Sequence, residues 1–324
     1  MRQVELVIES WPLLEPFVIT GYIWTHCDVL VISITENEVT GRGEASGIYY
    51  LNETTDSMVE QADAIQHQLE KGVSRKQLQS LLPAGGARNA IDCALWDLEA
   101  KQSGQSIFEL TGITSSPVTT VNTVTIDTPK EMARKARTIA SRQIKVKLDG
   151  ELSLKRITAV CDARPDADIV VDVNEGWSFS QLKELAPQFK GLGVKMIEQP
   201  LPRGEDDALE HYQSPITLCA DESCLDTSEL DQAARRYQMV NIKLDKTGGL
   251  TEALNLARRA KEKEMSLMVG NMTGTSLAMA PAYVIAQLCD FVDLDGALFL
   301  TADRPFPLSY HQGIVDGLSS SLWG

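Results

Sequence analysis

The sequence predicts an α/β protein in which a (β/α)8 barrel follows a smaller α+β domain. Eight short apolar runs of strand character succeed one another after residue 117, separated by helical segments. Marker residues in seven of these runs, from Lys147 to Asp293, recur at intervals of 22 to 27 residues, about the length of one strand and one helix. A doubly wound parallel sheet is the alternative, but the count of eight and the regular interval favour the barrel.

The beginning of the chain is predicted to form the smaller domain. The segments VELVIES and VLVISITENEVTGRGEAS predict a β-meander with a turn at residues 36–38. From about Ser57 to Gly104 the apolar spacing becomes helical, with a break at residues 83–86 before ARNAIDCALWDLEAKQSG. A Ser/Thr/Pro cluster at residues 114–117 predicts the boundary with the barrel.

The predicted barrel strands end in polar residues. The strand-like runs are, in chain order, VTTVNTVTI, IKVKL, ADIVVDV, VKMIEQP, ITLCADE, QMVNIKL, MSLMVGN and FVDLDG. Active sites of such barrels lie at the C-terminal ends of the strands, so the polar residues at these ends are expected to converge.

Composition excludes several classes of partner. The formal net charge of -15 argues against nucleic acid, since phosphate binding needs clustered basic residues. The N-terminus lacks the apolar stretch of a signal peptide and no run approaches 18 apolar residues, so we expect a soluble, cytoplasmic protein without a membrane partner. The six scattered cysteines form no CxxC pair and are expected to be reduced; a zinc site is not favoured. A homo-oligomer is compatible with the sequence, which does not fix the oligomeric state.

Three carboxylates at the ends of consecutive strands predict a metal site. Asp172, Glu198 and Asp221 each end one predicted strand. Hard oxygen ligands on adjacent strands suit Mg²⁺, with water or substrate completing the coordination sphere. Each carboxylate alone would more simply be a strand-end cap or an ion-pair partner, but three in successive units favour the metal.

Two lysines flank the carboxylate trio and predict acid/base chemistry. Lys147 ends the strand before the trio and Lys243 the strand after it. This arrangement suits removal and return of a proton at a carbon beside a carboxylate, where a cation holds the developing charge. Lys145 lies on the same strand face as Lys147, so its charge is expected to lower the pKa of Lys147 and to bind a substrate carboxylate oxygen. A Schiff-base lysine and ordinary surface ion pairs are the alternatives.

These residues resemble the enolase superfamily, in particular its muconate lactonizing enzyme subgroup. The matching motifs are, in chain order, KVK at 145–147, DVN at 172–174, EQP at 198–200, ADES at 220–223 and NIKLDKTGG at 241–249. The helical ARNAIDCALWDLEAKQ looks like part of the N-terminal capping domain of that family. The resemblance implies a capping domain, a catalytic barrel and a C-terminal segment that packs back on the capping domain, at residues 1–115, 116–304 and 305–324.

Within the subgroup the sequence is similar to dipeptide epimerases of the L-Ala-D/L-Glu epimerase type. The resemblance implies that Lys147 and Lys243 are the two acid/base catalysts, for the (R)- and the (S)-centre respectively. It further implies Mg²⁺ at the carboxylate trio, and an Asp-x-Asp pair that binds the α-ammonium of a small dipeptide substrate. Substrate contacts and supporting residues implied in this way are Lys145, Thr123, Asn271, Thr273, Asp293 and Asp295, with Asn174 and Glu222 behind them orienting a lysine or a ligand.

The predicted lid departs from this pattern. Family members that act on Ala-Glu commonly present an arginine from an N-terminal loop, but residues 3–41 contain no Lys or Arg, and neither does GIYYLNET. His26 and Arg42 are the nearest alternatives in the sequence. Four aromatic residues of these segments are expected either to favour an apolar or cationic side chain or to pack between lid and barrel: Tyr22, Trp24, Tyr49 and Tyr50.

The sequence therefore predicts an Mg²⁺-dependent isomerase that epimerises the C-terminal residue of an L-Ala-Xaa dipeptide, by two-base 1,1-proton transfer through a metal-stabilised enediolate. Another activity of the subgroup, such as o-succinylbenzoate synthase or cycloisomerase, is the first alternative. Asp293 and Asp295 argue against it, because those substrates carry no ammonium group. A non-catalytic binding protein on the same barrel is the second alternative, and the intact lysines and carboxylates argue against that.

Overall fold

The computed structural model describes all 324 residues and begins with a three-stranded antiparallel sheet. Its strands are β1 (Gln3–Ile19), β2 (Tyr22–Glu36) and β3 (Val39–Ala45). Asn37 and Glu38 join β2 to β3 with φ values of 51° and 67°, the left-handed conformation that a tight hairpin turn requires. The predicted meander and its turn are confirmed, and β1 and β2 prove longer than the apolar pattern indicated.

Five helices complete the N-terminal domain, and one of them packs closely on β3. The helices are α1 (Thr55–Ala64), α2 (Gln66–Glu70), α3 (Arg75–Leu81), α4 (Gly86–Ser103) and α5 (Ile107–Thr111). A Cβ on Gly43 would lie 2.1 Å from the carbonyl oxygen of Ala90, and a Cβ on Gly41 would lie 2.2 Å from that of Ala94. Only glycine on β3 therefore allows α4 to approach so closely.

Eight parallel strands form the second sheet, in the order of the chain. They are β5 (Asn122–Val124), β6 (Gln143–Lys147), β7 (Asp168–Asp172), β8 (Met196–Glu198), β9 (Thr217–Ala220), β10 (Met239–Ile242), β11 (Ser266–Val269) and β12 (Phe291–Val292). Val121, just before β5, donates a backbone hydrogen bond of 2.9 Å to Val292 of β12. This bond links the first strand to the last, so the predicted barrel is confirmed.

Helices surround the barrel, although not after every strand. They are α6 (Pro129–Thr138), α7 (Ser153–Ala163), α8 (Phe179–Gly191), α9 (Leu230–Arg236), α10 (Leu244–Thr247), α11 (Leu250–Glu262) and α12 (Ser276–Ala286). Only the 3-10 turn Asp207–His211 lies between β8 and β9, and the 3-10 turn Gly296–Phe299 follows β12. Pro200 and Pro202 follow β8 directly and lack the N–H groups that a helix would need there.

The core has three parts. The largest packs the barrel strands against the surrounding helices, and a second lies between the N-terminal sheet and its helices. The third fills the barrel interior with Val121, Val170, Met196, Cys219, Met239 and Met268. None of the helices combines the length and the apolar character that crossing a membrane requires.

The end of the chain lies against α4. A small sheet joins β4 (Val118–Thr119) to β13 (Ser309–His311) and β14 (Ile314–Asp316). Beyond it the Trp323 indole donates to the carbonyl oxygen of Cys93, at 3.0 Å, and the backbone N–H of Gly324 donates to Asp97. The division at residues 115 and 304 stays a prediction.

Candidate active site

The strand register brings the predicted site residues together. Lys147 at the end of β6 pairs with Asp172 of β7, which in turn pairs with Glu198 of β8. Asp221 follows β9 directly and Lys243 follows β10. The two lysines therefore lie on the strands that border the three carboxylate-bearing strands.

Lys145 lies at the centre of this group and is only 1% exposed. Its ammonium nitrogen is 3.0 Å from Asp172 and 2.8 Å from both Glu198 and Asp293. Burial alone would lower the pKa of Lys145, but the surrounding carboxylates raise it well above its usual value. Lys145 is thus a permanent cation that ties together the ends of three strands.

The two flanking lysines each contact the nearest carboxylate of the trio. The Lys147 ammonium donates to Asp172 at 2.6 Å and to the amide oxygen of Asn174 at 3.0 Å. The Lys243 ammonium donates to Asp221 at 2.6 Å. Burial would lower the pKa of Lys243, but Asp221 and Glu198 outweigh it and raise that pKa. Carboxylates therefore dominate the surroundings of Lys243.

The carboxylate trio is fully buried and unevenly charged. Burial opposes ionisation of Asp172, but Lys145 and Lys147 outweigh it and lower its pKa to about 2. Burial and the neighbouring Asp172 raise the pKa of Glu198 to about 7. The pKa of Asp221 is held well below its usual range, because two lysines overcome the effect of burial. Buried carboxylates so close together favour a shared cation.

The donor set of the trio fits Mg²⁺. Glu198 Oε2 and Asp221 Oδ1 are buried and accept no hydrogen bond; each is instead an ion-pair contact of an ammonium nitrogen at 2.8 Å. The acidic side chains do not form a preformed metal-binding cluster of three, because ammonium groups lie between them. Hard oxygen atoms on three adjacent strands, with hydrogen-bonding capacity unused, are what Mg²⁺ prefers. The residues present therefore fit the predicted metal.

Asn174 and Glu222 lie behind the lysines and the trio. The Asn174 side-chain amide donates to Glu222 at 3.2 Å while its oxygen accepts from Lys147. The other oxygen of Glu222 is buried without a hydrogen-bond partner. Burial and the charge of Asp221 raise the pKa of Glu222 to about 8. Hydrogen bonds therefore link Lys147 to Asn174 and Asn174 to Glu222.

The acidic pair after β12 lies on the other side of Lys145. Burial opposes the charge of Asp293, but Lys145 outweighs it and lowers the pKa of Asp293. Burial and the charge of Asp293 raise the pKa of Asp295 well above its usual value. The backbone N–H of Thr123 donates to Asp295 at 2.7 Å. Thr123 therefore fixes Asp295 at the rim of the barrel, beside Asp293.

Asn271 and Thr273, after β11, reach the same rim. The Asn271 amide donates to the carbonyl oxygen of Asp293 at 2.8 Å, and its oxygen accepts from the backbone N–H of Thr273 at 2.8 Å. Thr273 has a φ of 72°, which is uncommon for a β-branched residue. Asn271 therefore connects the acidic pair to the loop after β11.

Sequence reasoning did not assign Lys246, a fourth lysine of the site. Its fully buried ammonium lies 2.8 Å from Asp221 Oδ1 and donates to the carbonyl oxygens of Asp221, Cys224 and Asn241, at 2.6, 3.0 and 2.8 Å. The Asn241 amide in turn donates to Glu198 at 2.6 Å. The signal was present in NIKLDKTGG, where Lys246 follows Lys243 by one short helical turn.

A cavity of about 320 Å³ opens above these residues. Its floor is formed by nine of the predicted residues: Thr123, Lys145, Lys147, Asn174, Lys243, Asn271, Thr273, Asp293 and Asp295. The remaining four, Asp172, Glu198, Asp221 and Glu222, lie beneath this floor and are absent from the lining. The predicted site residues are thus brought into one cavity.

A row of aromatic rings lines the mouth of the cavity. Phe299, after β12, contacts Phe17 of β1 with ring centroids 4.8 Å apart, and Phe17 lies 6.3 Å from Trp24 of β2. Trp24 in turn has its ring centroid 5.0 Å from that of Tyr49, which belongs to residues 47–54 (GIYYLNET), the second lid segment. Of the four aromatic residues singled out in the sequence, Trp24 and Tyr49 line the cavity, and Tyr22 and Tyr50 pack behind them.

Family models match both parts of the chain. The enolase C-terminal domain-like model matches residues 130–303, and the N-terminal domain model of mandelate racemase/muconate lactonizing enzyme matches residues 1–112. The chain belongs to the mandelate racemase/muconate lactonizing enzyme family of the enolase superfamily. The resemblance drawn from the ordered motifs is confirmed.

Relatives within this family are named epimerases or racemases. L-Ala-D/L-Glu epimerase of Escherichia coli (strain K12) is 44% identical over 317 residues, covering 97% of this chain and 99% of the relative. N-acetyl-D-glutamate racemase of Pseudoalteromonas sp. is 42% identical over 299 residues, covering 91% and 95%. Both relatives are thus named isomerases, and each aligns with more than nine tenths of this chain.

Solved structures share the complete fold. An enolase family member from Agrobacterium tumefaciens with homology to dipeptide epimerases, holding sodium and L-Ala-L-Glu, has a TM-score of 0.98, 38% identity and full coverage of both chains. A dipeptide epimerase from Methylococcus capsulatus, complexed with Mg and L-Arg-D-Lys, has a TM-score of 0.88 and 28% identity, covering 97% of this chain and 96% of that one. The dipeptides in these two structures differ in the chemistry of their side chains, one acidic and the other basic.

Proposed function

We propose that the protein is an Mg²⁺-dependent dipeptide epimerase, an isomerase that inverts the α-carbon of the C-terminal residue of an L-Ala-Xaa dipeptide. The observation that carries the proposal is the pair Lys147 and Lys243, held on the two strands that border the carboxylate trio. The names of the relatives and the dipeptides in the solved structures support the same reaction. The o-succinylbenzoate synthase and cycloisomerase alternatives are not favoured.

Asp172, Glu198 and Asp221 would hold Mg²⁺ together with the substrate carboxylate. When bound there, Mg²⁺ would neutralise the charge that develops on that carboxylate and offset the carboxylates that raise the pKa of Lys243. Lys145, a buried cation beside the trio, would bind the same carboxylate group.

The two flanking lysines would move the proton. One lysine, as a neutral amine, takes the α-proton on one face, and the electron pair left on carbon delocalises into the substrate carboxylate. The other lysine, as an ammonium, returns a proton to the opposite face, which inverts the centre. By the family pattern Lys147 serves the (R)-centre and Lys243 the (S)-centre. Asn174 holds the Lys147 nitrogen in place for this step.

Asp293 and Asp295 would bind the α-ammonium of the dipeptide. Their carboxylates line the cavity across the barrel from the trio and are joined to Thr123 and Asn271. A dipeptide with its carboxylate at the trio would place its ammonium at this rim. The acidic pair therefore selects a substrate with a free N-terminus at the correct distance.

Deuterium exchange tests the proposal. The protein is incubated in D₂O with Mg²⁺ and a set of L-Ala-L-Xaa dipeptides, and mass spectrometry reports deuterium at the C-terminal α-carbon. We expect exchange with at least one dipeptide, loss of epimerisation in Lys147→Ala and Lys243→Ala, and retained exchange of one enantiomer in each variant. Absence of exchange with every dipeptide would refute the proposal.

Racemisation of an N-acylated amino acid is the second candidate, because one relative at 42% identity is named N-acetyl-D-glutamate racemase. An N-acyl group carries no ammonium, so Asp295→Asn should impair turnover of a dipeptide much more than turnover of N-acetylglutamate. Equal turnover of both substrates by the variant and the wild type would favour the racemase. Asp295 is thus the residue that separates the two reactions.

We further propose that the protein acts in the cytoplasm. All six cysteines are free and most are buried, which suits a reducing compartment. Fractionation of cells that express the tagged protein would test this location.

A further inference from the structure

The cavity is lined by two chemically different sets of residues. The floor consists of the polar and charged residues at the ends of the barrel strands. The roof is formed by the β1–β2 hairpin, by residues 46–55 and by loops after β11 and β12, and its apolar members include Leu13, Phe17, Ile19, Trp24, Met272 and Phe299. We call these six residues the lid subsite.

The lid subsite faces one particular part of the substrate, if the proposed function holds. The substrate carboxylate lies at the trio, its ammonium at Asp293 and Asp295, and its α-carbon between Lys147 and Lys243. The carboxylate, the ammonium group and the α-carbon of the dipeptide thus all contact residues of the barrel. Of the groups on the inverted α-carbon, only the side chain is then unassigned, and the lid subsite supplies most of the apolar residues in the cavity lining.

The lid subsite offers no cation to an acidic side chain. The three lysines that line the cavity are already held by carboxylates of the barrel. Arg42 is turned away and donates to the carbonyl oxygens of Ser321 and Leu322.

The other charged groups that line the cavity do not replace a cation. Asp28 and Glu53 are acidic. His26 is the one other basic side chain in the lining, and its Nδ1 contacts the Thr25 hydroxyl at 3.0 Å. A glutamate side chain would leave water for a roof with two carboxylates and apolar walls, which is unfavourable for a charged group.

We propose that the lid subsite binds an apolar side chain, preferentially an aromatic one, of the residue that is epimerised, and that it selects against glutamate. The edge-to-face contact of Phe17 with Phe299, at 4.8 Å and 62°, shows the packing that such rings already adopt there. Trp24 and Tyr49 extend this wall across the mouth. The proposal rests on the dipeptide epimerase function and differs from the glutamate dipeptides named for two of the similar proteins.

A substrate panel tests the proposal. The values of kcat/KM are measured in Mg²⁺ for L-Ala-L-Phe, L-Ala-L-Leu, L-Ala-L-Glu and L-Ala-L-Lys. We expect L-Ala-L-Phe to exceed L-Ala-L-Glu by at least about tenfold, the scale on which pocket contacts discriminate between side chains. A preference for glutamate or lysine would overturn the inference and leave the proposed function intact. Absence of turnover with all dipeptides would instead refute the function itself.

A charge placed in the roof provides the second test. Trp24→Arg introduces a cation into the lid subsite and should shift the preference towards L-Ala-L-Glu by at least about tenfold. Ile23→Arg is the matched control, because Ile23 is the neighbouring residue of the same strand, is 70% exposed and does not line the cavity. Trp24→Phe should keep the apolar preference. An equal shift in the two arginine variants, or none in Trp24→Arg, would overturn the inference.

Discussion

Four lysines share four carboxylates at the ends of the barrel strands, and their contacts separate their roles. Lys147 and Lys243 each hold one carboxylate of the trio and also face the cavity. Lys145 holds three carboxylates, and Lys246 is enclosed by backbone carbonyls and Asp221. These contacts agree with the proposed roles, in which Lys147 and Lys243 exchange the substrate proton and Lys145 and Lys246 stay cations beside the carboxylates.

Lys246→Met should destabilise the protein by about 3–5 kcal/mol, the usual cost of removing one partner of a buried ion pair. The substitution leaves Asp221 Oδ1 without its ion-pair partner and three buried carbonyl oxygens without their donor. The free energy of unfolding from urea titration measures the loss. Lys155→Met, at an exposed position of α7, is the control and should stay within about 0.5 kcal/mol of the wild type. A loss below about 1 kcal/mol in Lys246→Met would contradict the role assigned to it.

At the scale of elements, the β1–β2 hairpin is the part that joins the N-terminal sheet to the mouth of the barrel. Its register shifts between Pro12 and Phe17, which marks an irregularity in the pairing of β1 with β2. Thr301 donates a backbone hydrogen bond to Pro12, and the Thr20 hydroxyl donates to the carbonyl oxygen of Leu148. The hairpin is thus fastened on both sides of the cavity, which places Phe17 and Trp24 over the site.

Arg304 fastens the base of this hairpin. Its guanidinium donates to Glu9 of β1 at 2.6 Å and to the buried Glu44 of β3 at 2.7 Å. Arg304→Gln should therefore cost about 3–5 kcal/mol, because Glu44 would stay buried without its cation. Urea unfolding measures this cost, and hydrogen exchange across residues 11–29 should rise.

The double variant Glu44→Gln/Arg304→Gln controls for the general effect of substitution at this place. We expect it to be less destabilised than the sum of the two single variants, since the unpaired charge is removed together with its partner. Strict additivity of the three free energies of unfolding would show that the two side chains do not interact.

At the scale of the whole molecule, the site is completed by contacts between the N-terminal domain and the barrel. Arg88 of α4 donates to the carbonyl oxygen of Thr247, and Trp96 donates to the Thr251 hydroxyl. Asp245, two residues after Lys243, accepts from the backbone N–H groups of Ser46 and Gly47 at 3.1 and 3.0 Å. Asp245 therefore fixes the start of the second lid segment to the residues that directly follow Lys243.

Asp245 should make this connection dependent on pH. Burial, with the charge of Glu53 adding to it, raises the pKa of Asp245 from 3.8 to about 7. The folded state then keeps a proton that the unfolded chain releases, so this group lowers stability as pH rises from about 4 to about 7, and its effect is constant above that range. Asp245→Asn keeps an oxygen acceptor and removes the titration.

The difference in the free energy of unfolding between Asp245→Asn and the wild type checks this expectation. Measured from pH 4 to pH 8, it should move in favour of the variant as pH rises, by an amount on the order of 4 kcal/mol at most, and then level off. A difference that does not change with pH would show that Asp245 does not keep its proton in the folded state.

The sequence by itself determined the barrel, the order of its strands and the residues at their ends. Hydrophobic periodicity and a repeat of about 25 residues are local properties of the chain, and in a parallel barrel they dictate which strand ends become neighbours. Lys147, Asp172 and Glu198 were predicted to converge for this reason, and their register brings them together.

Only the tertiary structure decided what each of these groups touches. Lys145 is held by carboxylates from three strands, one of them Asp293 at a separation of 148 residues. The position of Lys246 one helical turn after Lys243 was visible in the sequence, but its burial among backbone carbonyls was not. The chemistry of the lid depends on which faces of β1 and β2 meet Phe299, because alternation along a strand identifies two faces but does not say which one another part of the chain will cover.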